Sequence, residues 1–117
     1  MLAGCLFAGI LLAADPAVDK AKKLMSEKKY DEAITTLDAA YKEKPKSTDI
    51  STALAGAYMA KADALMADPA LPPRQKYPDA LRSYRKVLTL DKTNKKAQEQ
   101  ISSIEGIYKQ MGRPIPQ

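Results

Sequence analysis

Histidine and tryptophan are absent from this 117-residue chain, and cysteine and phenylalanine occur once each. Without histidine there is no Ser-His or Cys-His nucleophile pair and no imidazole ligand for zinc. A single cysteine, Cys5, excludes an intrachain disulfide and a thiolate cluster. Glycine occurs only at positions 4, 9, 56, 106 and 112, so tight β-turns have little to be built from. No segment sustains period-two alternation with β-branched enrichment. Tyr, Lys, Asp and Glu could carry acid–base work, but no pair stands at a spacing that suggests it. The expectation is a protein that is not an enzyme, with no catalytic residue, no metal and no cofactor.

What is present fits one folded domain. Hydrophobic residues make up 45% of the chain, close to a globular average. The net charge is +5, from 19 Lys and Arg against 14 Asp and Glu. A basic balance can signal nucleic acid or an anionic membrane. Here the signs are interleaved, as in Lys42-Glu43-Lys44, and the densest cluster is Lys20, Lys22 and Lys23 followed by Lys28 and Lys29. No arginine cluster or aromatic-rich basic strand accompanies it. These lysines read as a solvated helix face, and no nucleic-acid partner is expected.

Residues 1–14, MLAGCLFAGILLAA, carry no charge. As a helix they would span roughly 21 Å, short of a ~30 Å hydrocarbon core. The stretch suits the apolar region of an export signal better than a membrane span, with cleavage after Ala14 or Ala13. A positive leading region is missing, which would be explained if the true start lay upstream of Met1. Leu2-Ala3-Gly4-Cys5 resembles the lipobox of bacterial lipoproteins, whose cysteine is lipidated. Cys5 is therefore the lipidation candidate, although only Met1 precedes the match and nine uncharged residues follow it. Otherwise Cys5 is one small hydrophobe in an apolar run. From Asp15 onward the chain is thiol-free, which suits an oxidising compartment, periplasmic or in the cell envelope.

Beyond Pro16 the composition is that of helices, rich in Ala, Leu, Lys, Glu, Met and Gln. Asp15 and Pro16 open a first helix with Val18, Ala21, Leu24 and Met25 on its apolar face. A second, about 31–43, carries the stripe Ala33, Ile34, Leu37, Ala40 and Tyr41, and Pro45 ends it. Ser47, Thr48 and Asp49 cap a third helix running to about Ala67. Asp68-Pro69 and Leu71-Pro72-Pro73 then break the chain. Pro78 suits the first position of a fourth helix, to about Leu90. Thr93-Asn94 caps a fifth, with Ala97, Ile101, Ile104 and Tyr108 inward and Gly112 as its stop.

Two spacings repeat. Ala21-x2-Leu24 recurs as Ala55-x2-Tyr58, and Tyr30-x2-Ala33-x3-Leu37-x2-Ala40 recurs as Tyr77-x2-Ala80-x3-Tyr84-x2-Val87. The first displacement is 34 residues and the second is 47, so the second copy holds an excess of 13 between its helices. The pattern resembles the tetratricopeptide repeat (TPR), a helix-turn-helix unit of the same period. The first copy also has the closing Pro45. The second ends Leu90-Asp91-Lys92-Thr93-Asn94, with Lys92 where the family usually has proline.

The resemblance implies an all-α fold: two TPR-like helix pairs and a capping helix, stacked as a right-handed α-solenoid. Its expected divisions are repeat 1 at about 15–47, repeat 2 at about 48–94 with an insertion at about 60–76, a cap at about 95–111, and a Pro-containing tail, 112–117. Small residues should sit where paired helices cross, Ala21 against Ala33 and Ala55 against Ala80. Tyr30, Leu37, Tyr77 and Tyr84 should fill the space between layers. Stacking buries faces that no pair could bury alone.

The resemblance also implies binding of a protein or peptide in a concave groove lined by the first helix of each pair. The corresponding residues are Val18, Lys22, Met25, Thr52, Met59 and Asp63, with Lys96 and Glu99 from the cap. Met25 and Met59 suit ordinary packing equally well. Some relatives clamp a terminal carboxylate through asparagines. The only asparagine here is Asn94, so that activity is not carried over. The Pro-rich segment 68–76 is expected to be a loop, for recognition or as a tolerated spacer. The leading expectation is an exported scaffold, and the second is a lipid-anchored lipoprotein subunit of an envelope assembly or secretion complex. The tail reads either as a packed end or as a short extended ligand.

Overall fold

The computed structural model describes residues 15–117. The expected export segment 1–14 and its Cys5 lie outside the described residues. Five helices follow one another: α1 (Pro16–Ser26), α2 (Tyr30–Glu43), α3 (Thr48–Ala67), α4 (Pro73–Leu90) and α5 (Lys95–Gln110). Among the described residues there is no strand. Each helix packs on the next, and α1 also meets α3. Two hairpins, α1–α2 and α3–α4, are thus stacked, and α5 closes the far side.

The caps follow from local chemistry. Asp15 accepts from the Ala17 amide at 2.9 Å, Ser47 from Ile50 at 3.3 Å and Asn94 from Ala97 at 3.0 Å. Each satisfies an amide that the first turn leaves unpaired. Asp15 also accepts from Lys44 Nζ at 2.8 Å, which ties the start of α1 to the end of α2. That ammonium, with the Ala17 amide, holds the Asp15 carboxyl below its ordinary range. Where proline was expected at position 92, Asp91 instead accepts from the Thr93 amide and hydroxyl at 3.3 and 3.1 Å. This side-chain turn fixes the bend that proline would have fixed.

Two apolar clusters form the core. One joins Val18, Ala21, Ala33, Ile34, Leu37, Ile50, Leu54 and Ala57, and the other joins Ala55, Ala62, Ala80, Leu81, Tyr84, Val87, Ala97, Ile104 and Tyr108. Helix α3 supplies both, because it lies between the first hairpin and α4. Ala33 and Ala80 are wholly buried and Ala21 nearly so, as expected of close helix crossings. Leu37 and Tyr84 are fully buried between layers, whereas Tyr30 and Tyr77 are half-buried. Tyr58 and Leu90 pack against both clusters.

The insertion lengthens α3 to Ala67 as expected, but its 68–76 part differs from the expected loop. Segment 61–67 prolongs α3, segment 73–76 prolongs α4, and only 68–72 lies outside helix. Pro73, not Pro78, takes the first helical position, preceded by the extended Pro72. Pro78 sits inside α4. It has no amide for the Arg74 carbonyl, but that residue is exposed and water can take the bond. The added turn is held in return. Lys76 Nζ donates to the carbonyls of Met66 and Asp68 at 3.4 and 3.1 Å, so its charge sits at the negative end of α3.

The tail is a packed end. The Gly112 amide donates to Lys109 O and the Arg113 amide to Tyr108 O, with Gly112 at φ 65°. This is the Schellman arrangement, and it needs a left-handed residue at that position. Ile115 then packs on the second cluster, and Arg85 Nη1 donates to Pro116 O at 2.8 Å.

Candidate functional site

The α1 and α3 side of the stack, with the α4–α5 turn beside it, presents a shallow groove. One hollow of about 160 Å³ is lined by Lys22 and Met25 of α1 and by Ala53 and Gly56 of α3. A second, of about 440 Å³, is lined by Thr52, Gly56 and Met59 of α3 and by Leu90, Asp91 and Asn94 at the α4–α5 turn. Gly56 belongs to both and joins them. It lies mid-helix, and a Cβ built there would meet nothing within 4 Å. The missing side chain leaves open space above the groove floor, since no neighbouring helix fills it.

The expected groove residues do not share one setting. Lys22 and Thr52 are exposed at the rim, and Met25 and Met59 are half-buried, each packed on its cluster while lining a hollow. Val18 borders the first hollow but is 5% exposed, so most of it belongs to the core. Asp63 and Lys96 are engaged with each other. The Asp63 carboxylate accepts from Tyr84 OH at 2.7 Å and from Lys96 Nζ at 2.5 Å. The pair links α3 to α5 and closes one end of the face. Glu99 is exposed on α5 and lines neither hollow.

A parallel contact lies one layer back. Tyr58 OH donates to Asp38 at 3.3 Å across α2 and α3. Burial, and then the adjacent carboxylate, push both Tyr58 and Tyr84 above the ordinary tyrosine range. At neutral pH both phenols are protonated donors. They staple helices and offer no ready proton acceptor.

Sequence reasoning missed Gly56, Leu90, Asp91 and Asn94 as groove residues. Gly56 carried a signal: a glycine in the middle of a strong helix former costs stability and calls for a reason. The other three are placed by the turn after α4, whose course was not legible from spacing.

A protein-family model described as "Tetratricopeptide repeat" matches residues 24–64. That stretch runs from the end of α1 through α2 into α3, and so holds the turn, the second helix and the stacking contact of one repeat. No curated protein and no solved structure matches the chain. The matched repeat and the stacked helical hairpins agree, and the chain carries a tetratricopeptide repeat across residues 24–64.

Proposed function

We propose that this chain is an exported, non-catalytic scaffold that holds a protein or peptide segment in the groove of α1 and α3 beside the α4–α5 turn. The tetratricopeptide repeat at residues 24–64 supports a protein–protein interaction module. The carrying observation is the pair of hollows that meet at Gly56, because together they offer a continuous apolar floor with polar rims. A segment laid there would cover Met25 and Met59, pass Gly56 closely and meet Lys22 at one edge. Export is supported by the uncharged stretch 1–14 and by the absence of cysteine beyond it. A second reading is favoured by Leu2-Ala3-Gly4-Cys5: a lipoprotein subunit of an envelope assembly or secretion complex, held to the membrane by a lipid on Cys5. The intact mass of the exported protein separates the two, since one loses the stretch and the other gains acyl chains.

The groove is tested by site-specific photocrosslinking. A photoreactive residue at Lys22 or Thr52 should give a discrete adduct with a native partner protein. The same group at Lys42, exposed on α2, should give none. Adducts at Lys42 with none at the groove positions would reject the reading.

A further inference from the structure

A second pocket, of about 340 Å³, lies away from the groove, where the start of α4 meets the end of α5. Its floor is aromatic: Tyr77 and Tyr108 meet edge to face, ring centroids 6.5 Å apart at 70°. Pro72 and Pro73 form one wall, and Met111, 50% exposed, borders the other side. Arg74 and Arg113 complete the lining, and no acidic residue is part of it. Both arginines are exposed, and neither makes an ion pair among the described residues.

The fold builds this arrangement from both additions to the plain repeat. Segment 73–76 carries Arg74 to the rim and sets Tyr77 on Tyr108. The Schellman turn at Gly112 folds the chain back, so that the Arg113 amide binds Tyr108 O at 3.0 Å and its side chain joins the same pocket. The prolines and the turn restrict the backbone on both sides, which lowers the cost of ordering the pocket itself on binding.

We propose that this pocket is a second docking site, taking an acidic segment of a partner protein that offers a large apolar side chain between carboxylates. Two unpaired guanidiniums beside an apolar floor favour that charge pattern and disfavour its reverse. An exposed methionine beside the half-buried Tyr77 suits an apolar anchor, since such groups recur at the centre of interfaces. The assignment rests on the reading of the chain as a protein-binding module, but not on the groove.

The test is fluorescence anisotropy of the intact chain against three short labelled peptides. One has two leucines flanked by Asp and Glu, the second has Lys in place of those acids, and the third has Ser in place of the leucines. Only the first should bind, and rising salt should weaken it. The double change Arg74→Ser with Arg113→Ser should weaken it about tenfold, and Met111→Ser severalfold, with unchanged circular dichroism. Equal binding of the Lys peptide, or no binding of the acidic one, overturns the proposal without recourse to any variant. Full affinity in a folded double variant does the same. Sedimentation with phosphatidylglycerol vesicles through these arginines, without peptide binding, would assign the pocket to a lipid surface instead. Loss of groove crosslinks with peptide binding intact would fail the groove reading alone.

Discussion

At the scale of single residues, buried polar groups do more here than the repeat spacing implied. Tyr84 was legible as a space-filling residue from its place in the repeat, and it is fully buried. Its hydroxyl contact with Asp63 was not legible, because the two lie 21 positions apart on different helices. The same contact explains why Asp63 and Lys96, read as groove residues, are occupied with the fold. Tyr84→Phe keeps the ring and removes the donor, so it should cost about 1–2 kcal/mol at neutral pH. The pH dependence has a definite sign. Burial and the neighbouring carboxylate raise the phenol above its ordinary value of 10.0. A raised folded-state value stabilises below the unfolded one, and that stabilisation is lost as pH rises beyond about 10. Urea unfolding at pH 7 and again above pH 10 should therefore show the wild type losing more stability than Tyr84→Phe. Parallel losses would mean that the phenol is not held as described.

At the scale of elements, helix starts were legible wherever a side chain caps them. Asp15, Ser47 and Asn94 each accept the amide their chemistry predicts. The start of α4 was misplaced because two prolines compete for the first position, and spacing cannot show that Lys76 would hold the earlier turn against α3. The end of α1 was obscure for a related reason. Lys28 takes the left-handed position, φ 60°, that glycine usually marks. Its amide and that of Lys29 still close the helix onto Met25 O and Leu24 O. Gly56 presents the reverse case, a glycine with no conformational need for being one. It is helical, and a Cβ there would touch nothing within 4 Å. Gly56→Ala should therefore raise stability by about 0.5–1 kcal/mol, read as a higher urea midpoint. A fall would show an unseen contact at the groove floor.

At the scale of the whole molecule, the question is how so short a stack stays folded. Neither hairpin closes its own core. The second cluster draws Ala97, Ile104 and Tyr108 from α5, and Ile115 of the tail packs on it. Without α5, the face of α4 around Ala80, Tyr84 and Val87 would lose its outer cover. Burying one large apolar side chain contributes roughly 1.5–3 kcal/mol, so Ile104 and Tyr108 alone account for several. A domain of this size has only about 5–15 kcal/mol in total. A chain stopped at Asn94 should therefore lose its cooperative thermal transition, with helical signal falling well beyond the share removed. A chain stopped at Met111 keeps α5 and loses only the tail, so it should melt cooperatively a few degrees lower. Circular dichroism melts of both truncations decide the matter. If the Asn94 truncation melts cooperatively near the full-length temperature, the two hairpins suffice, and α5 is an accessory and not the layer that completes the fold.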